Sequence, residues 1–195
     1  MPDRERHSRP PLLLVGGFAL FILVIAYFVL SSVTKRSVPT FDPSPPVSVA
    51  SKVAARHDDT ITVDASDSRL WQYVDFDRGG VVVPPDTAGW DLAVRRYMVI
   101  AADAIADVGA QRFEDVREVP DDGFMANVAG EDTVNPAIRR WYRYSMLTHL
   151  LEPAGHAYVV RTRDGRFATV EVLGYYCTGV RPGCLTLRYT YPIER

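Results

Sequence analysis

Few of the residue types that carry chemistry occur in this 195-residue chain. It has two cysteines, four histidines and four methionines. Two cysteines alone are too few for a structural zinc site, which takes four ligands. There is no glycine-rich phosphate loop, no Gly-x-Ser-x-Gly nucleophile elbow and no histidine pair at metal spacing. Asp121-Asp122 and Glu131-Asp132 are acidic pairs in loop-like sequence and read as solvated turns. Ser145, His149 and Asp132 hold the residue types of a triad without any motif to support one. The expectation is a protein that is not an enzyme and holds no metal centre. The formal net charge is -2, which leaves no basic footprint and excludes nucleic acid as a partner. There is no internal repeat.

Long apolar runs are also lacking, with one exception. Residues 12–30 (LLLVGGFALFILVIAYFVL) contain no charge. As a helix they span roughly 28 Å, the thickness of a bilayer hydrocarbon core. The run is apolar on every face, unlike a helix that packs on a globular core. The expectation is a single transmembrane α-helix, preceded by a cytoplasmic tail at 1–11. A cleaved signal peptide is the rival reading. It calls for a shorter apolar region and a small-residue site, for which Val29-Leu30-Ser31 is a poor match. No cysteine lies near the run, so a lipoprotein anchor is excluded. Arg4, Arg6 and Arg9 precede the run, and Lys35 and Arg36 follow it. That slight bias favours a cytoplasmic N-terminus, which puts the rest of the chain in the periplasm of a bacterial inner membrane. Gly16-Gly17 offers a small-residue spot where another helix can approach.

Cys177 and Cys184 flank TGVRPG, a turn-forming segment between strand-like stretches. The pair either bridges a hairpin as a disulfide, in an oxidising compartment, or packs reduced. Residues 31–57 form a linker containing Pro39, Pro43, Pro45 and Pro46. In extended geometry its 37–57 portion reaches up to roughly 65 Å.

From Thr60 onward the hydrophobic period is two. Leu185, Leu187, Tyr189 and Tyr191 alternate with Thr186, Arg188 and Thr190, the pattern of a strand with one buried face. Asp164-Gly165 marks a hairpin between 156–163 and 167–176. Further strands are expected at 60–63, 70–76, 81–83, 91–100, 112–116 and 140–147, with an alanine-rich short helix as the alternative at 101–110. Many short strands with Gly and Pro turns imply an all-β, mostly antiparallel domain over 58–195.

Three groups of residues then carry a resemblance. The first is ITVDAS at 61–66, WQYVDF at 71–76 and GVV at 80–82. The second is WDLA at 90–93 with Arg96-Tyr97. The third is Val160-Arg161, Asp164-Gly165, ATV at 168–170, Tyr175-Tyr176 and the ending LTLRYTYP at 185–192. In order and spacing these are similar to the HmuY-like haem-binding proteins. The resemblance implies a β-rich fold with haem clamped near one end between two loops. Trp71, Tyr73, Phe76 and Trp90 read as core aromatics, and Asp91 as a turn cap or a partner of Arg95 or Arg96.

Haem iron takes axial donors, usually His or Met. In the family one ligand follows a Trp-x-x-aromatic-x pattern; here Trp141 to Ser145 leads to Met146. A methionine filling space in the core is the bland alternative. The other ligand sits, in better-known members, on a long hairpin before that Trp. Here only 128–140 occupies the place, without His, Met or Cys. Met125, His149 and His156 are the remaining axial candidates; His7 and His57 are poorly placed. Two functions follow. One is a membrane-anchored haem-binding protein using Met146 with Met125, His149 or His156. The other is a structural or assembly subunit of a larger membrane complex, photosynthetic or respiratory, whose haem site has decayed and whose partners are membrane-protein subunits.

Overall fold

The computed structural model describes residues 12–33, 38–48, 56–83 and 89–194. The chain falls into two units, Met1–Ser37 and Val38–Arg195. The tail expected at 1–11 lies outside the described residues. In the first unit, helix α1 (Leu12–Val33) runs three residues beyond the apolar stretch. Its first turn carries no acid and its last turn no base. Its side chains from Leu13 to Leu30 are left almost wholly exposed. It is long and apolar enough to cross a membrane.

Among the described residues the second unit has thirteen strands. They are β1 (Thr40–Phe41), β2 (His57–Asp64), β3 (Gln72–Asp75), β4 (Gly80–Val82), β5 (Leu92–Arg95), β6 (Met98–Ala101), β7 (Ala104–Gly109), β8 (Met125–Ala126), β9 (Tyr142–Tyr144), β10 (Leu151–Pro153), β11 (Ala157–Arg161), β12 (Phe167–Cys177) and β13 (Arg181–Ile193). A large sheet runs β2-β13-β12-β11-β7-β8, a four-stranded sheet runs β4-β3-β5-β6, and β9 and β10 form a separate hairpin. Every pairing is antiparallel except β1 with β12. The all-β expectation holds.

The alternation expected in β13 is there, with Leu185, Leu187, Tyr189 and Tyr191 in the core beside Phe76, Trp141 and Tyr158. Its other face is covered as well. Thr186 and Thr190 are buried, and Thr186 meets Thr62 of β2 through their hydroxyls at 3.0 Å. The Cys177–Cys184 disulfide closes the β12–β13 hairpin end.

Four local expectations give way. The stretch 101–110 is the end of β6 and β7, not a helix. Ala101, Ala104 and Ala106 are buried there, so alanine serves close packing and the β11 ladder overrides helix propensity. Residues 112–116 form a 3₁₀ turn at Phe113–Asp115, in which Phe113 lies under the Arg188 guanidinium at 4.2 Å. Of 140–147 only Tyr142–Tyr144 is strand. The linker expected at 31–57 is also shorter, because residues 38–48 lie on the domain.

That segment is held like a strap. β1 takes the part of β12 that β11 leaves open: β11 pairs Phe167 to Glu171, and β1 pairs Tyr176 and Cys177. Beyond β1, Ser44 N–H donates to Thr62 O at 2.9 Å, Thr62 N–H donates to Ser44 Oγ at 3.0 Å, and Val47 N–H donates to Val81 O at 2.8 Å. Two glycines make room for it. A Cβ on Gly174 would come 2.6 Å from the Phe41 ring, and one on Gly80 would overlap Val47. The prolines lack N–H groups and favour extended backbone, so they suit a strap with few ladder bonds.

Candidate functional site

Two of the four residues singled out for haem, Met146 and His149, lie on the β9–β10 hairpin. Trp141 is its peg. The indole is buried in the core and donates from Nε1 to Tyr97 O at 2.8 Å. Trp141 O accepts from Ala154 N–H at 2.7 Å, and Leu151 N–H donates to the Tyr176 hydroxyl at 2.8 Å. The hairpin base is therefore fixed to the C-terminal half of β12. At the tip, Ser145 N–H donates to Leu150 O at 2.9 Å and His149 N–H donates to Ser145 O at 2.8 Å. His149 closes this turn with φ at 56°, and its Nδ1 pairs with the Tyr144 hydroxyl. Met146 and Leu147 ride on the turn, 76% and 92% exposed. Met146 is thus not a space-filling core residue.

The segment before Trp141 is a closed loop. Val128 and Val134 exchange both backbone hydrogen bonds, at 2.7 and 3.1 Å. Fully buried Asn135 ties the loop down. Its Nδ2 donates to Met125 O at 2.8 Å, and its Oδ1 accepts from Ala137 N–H at 3.1 Å. Between this loop, the β5–β6 turn and β9 lies a cavity of about 460 Å³. Tyr97, Met98, Asn135, Arg139, Arg140 and Tyr142 line it, with Asp132, which accepts from Arg95 at 2.6 Å. Burial pushes the Tyr142 phenol above its ordinary range. Sequence reasoning passed over Met98, Arg139 and Arg140; the Arg-Arg pair just before Trp141 is the signal that could have drawn attention to them.

A haem held from both faces needs donors that oppose one another. Met146 and His149 belong to one turn and cannot do so. Met125 lies on the register row Met125–Ile105–Val160–Ala168. The hairpin is tied at Tyr176, eight residues farther along β12, about 26 Å at strand rise. His156 points Nδ1 at both carboxylate oxygens of Asp107, 3.0 Å from each. Among the described residues, the four candidates thus do not assemble a two-faced site. Of the four, Met146 is the most exposed donor, and it stands on one side only.

The scaffold residues that carry the resemblance behave differently. Asp91 is a turn cap and not a partner of Arg95 or Arg96. Its Oδ2 accepts from Phe76 N–H at 2.9 Å and its Oδ1 from Arg163 N–H at 3.2 Å. Burial raises its carboxyl to about 7, against the pull of those two N–H donors. It lines a second cavity of about 350 Å³ with Asp75, Asp77 and Asp164. Arg166 donates to Asp77 at 2.8 Å and pairs with Asp164, and Arg78 pairs with Asp75 at 3.2 Å. Among the described residues no group of three His, Cys, Asp or Glu is set to hold a metal ion.

Known proteins match this architecture. A structure of a Bacteroides vulgatus protein described as HmuY-like and heme-binding is 24% identical. It covers 71% of this chain and 94% of its own, with a TM-score of 0.61. A Bacteroides fragilis protein whose structure is described as that of a putative lipoprotein is 20% identical, covers 74% of this chain and 95% of its own, and has a TM-score of 0.59. An apo HmuY analogue of Tannerella forsythia is 15% identical, covers 73% and 99%, and has a TM-score of 0.63. These likenesses concern the fold. No curated protein sequence matches the chain. The sequence profile of the HmuY protein family matches residues 67–189, well over half of the length. The chain belongs to the HmuY family.

Proposed function

We propose that this chain is a non-catalytic binding module held in a bacterial inner membrane by α1, with its β domain in the periplasm and protein subunits of the same membrane as its partners. The observation that carries this reading is the absence of opposed donors among the described candidates. Met146 and His149 share one turn, Met125 lies at the far end of β12, and His156 is engaged by Asp107. The exposed apolar helix and the buried disulfide fit a membrane station facing an oxidising compartment. Gly16-Gly17 offers a neighbouring helix a close approach, since nothing lies within 4 Å of a Cβ at either position.

A second reading is favoured by one observation. Met146 stands at the position the family resemblance gives to a ligand, and it is free to reach one. In that reading the protein binds haem through Met146 on one face. Haem titration of the purified chain separates the two. Lack of saturable binding supports the partner module. A Soret band that Met146→Ala alters supports the haem reading and overturns the first.

A further inference from the structure

The cavity of about 460 Å³ before Trp141 carries more recognition chemistry than the fold requires. One part of it is backbone. In an antiparallel ladder, hydrogen-bonded and non-bonded pairs alternate. Ala102 N–H donates to Asp91 O at 2.8 Å, just past the Leu92–Ala101 pair. Leu92–Ala101 and Val94–Val99 are therefore the non-bonded pairs of β5 and β6. The N–H and C=O groups of Ala101 and Val99 point away from β5, to the open edge of β6. Ala101 meets Asn127 there: its N–H donates to Oδ1 at 3.2 Å, and its O accepts from Nδ2 at 2.7 Å. Val99 is 3% exposed and lines the cavity, and among the described residues it has no such partner. It presents one donor and one acceptor, the two groups that one residue of an added strand exchanges.

The second part is charge. Arg139 and Arg140 both line the cavity, and among the described residues no carboxylate lies within ion-pair distance of either. Asp132, on the same wall, already accepts from Arg95 at 2.6 Å. The wall is left with an excess of positive charge. Tyr97 and Tyr142 stand beside it, their rings 5.8 Å apart. Guanidiniums recognise carboxylates and phosphates alike. The Val99 carbonyl and the Asp132 carboxylate, however, repel a compact polyanion such as phosphate. A peptide end suits the whole set: its carboxylate meets the arginines, and its backbone N–H and C=O meet Val99. The volume falls within the range of small-ligand sites, roughly 300–1,000 Å³.

We propose that this cavity binds the carboxylate end of an extended peptide, with one residue paired to the Val99 edge of β6 and the terminal carboxylate held by Arg139 and Arg140. The site lies within the β domain and stands apart from the membrane reading of α1 and from haem. The test is equilibrium dialysis of the full chain in mild detergent, with bound peptide read by mass spectrometry. The probe is a mixed-sequence pool of N-acetylated tripeptides with free carboxylates; the same pool amidated at the C-terminus is the control. Retention of the acids and not of the amides is expected. Both arginines are exposed, so Arg139→Gln/Arg140→Gln should keep its melting temperature and bind about tenfold or more weakly, the worth of one charge-assisted hydrogen bond. Saturating peptide should slow hydrogen exchange at the Val99 amide. A parallel pool with free amines separates the sources: retention of both pools assigns chain ends of any length, and retention of free amines alone assigns short free peptides. Acids and amides retained alike, or neither retained, overturns the proposal. So does undiminished binding by the double variant, or Val99 exchange that peptide leaves unchanged. Displacement of the peptides by inorganic phosphate at equal concentration overturns it in favour of a plain anion site.

Discussion

Breaking the Cys177–Cys184 bridge should cost stability by an amount that can be worked out. The two residues are seven apart in sequence. In the chain-entropy model, closing so short a loop stabilises by about 2.5 kcal/mol. For a domain of this size, each kcal/mol moves the melting temperature by about 2–4 °C, so the bridge is worth about 5–10 °C. Both residues are buried, which slows reduction of the native state. Cys177 also shares a register row with Phe41 of β1 and Arg181 of β13, so loosening it loosens the strap. The assay is thermal unfolding by circular dichroism of the oxidised protein, the protein reduced after unfolding, and Cys177→Ala/Cys184→Ala. The last two should melt about 5–10 °C below the first. Added reductant should leave the double variant unchanged. An oxidised protein that melts with the other two would refute the loop-entropy reasoning.

Other outcomes follow from the same structure. Gly174→Ala places a Cβ against the Phe41 ring, an overpacking that costs about 1–3 kcal/mol; hydrogen exchange at the Ser44 and Val47 amides should speed up, and unchanged exchange would mean that the strap is not held there. Asp91 gives a pH signature. Its carboxyl is raised by burial to about 7, above the unfolded value near 4, so its contribution is complete below about pH 4 and is lost as pH rises through 7. Between pH 5 and 8 the loss is about 2–3 kcal/mol. Asp91→Asn should remove that slope from urea-unfolding curves, at a pH-independent cost for one lost backbone hydrogen bond; an unaltered slope would contradict it. Asn135→Ala leaves Met125 O without its side-chain donor and frees the 128–134 loop. A loss of about 1–3 kcal/mol is expected in thermal melts, and none would show that the loop is held otherwise.

Much of the fold was legible because β period two and turn chemistry are local signals. The alternation in 185–191 became β13, and Asp164-Gly165 became the turn into β12, with Gly165 at φ 82°. The cysteine pair became a bridge. The strap was not legible. Its sequence is proline-rich and linker-like, and the features that seat it, Gly174 and Gly80, lie far along the chain. Alanines at 101–110 carry helix propensity but are spent on close strand packing. For the site, the Trp141 pattern led to Met146, which the structure leaves exposed on the tip of the β9–β10 hairpin. The spacing of Met125 and His156 from it said nothing of distance. Only the register separates Met125 from the tip, and only the fold sets His156 against Asp107.

The most direct test of a membrane-held partner module is its state in the native membrane. Membranes are solubilised in mild detergent, and the tagged full chain is followed by sedimentation. The account predicts that the chain migrates with the same protein subunits, in fixed ratio, at a mass well above its own. Migration as a free monomer, with no co-purifying subunit, would contradict it.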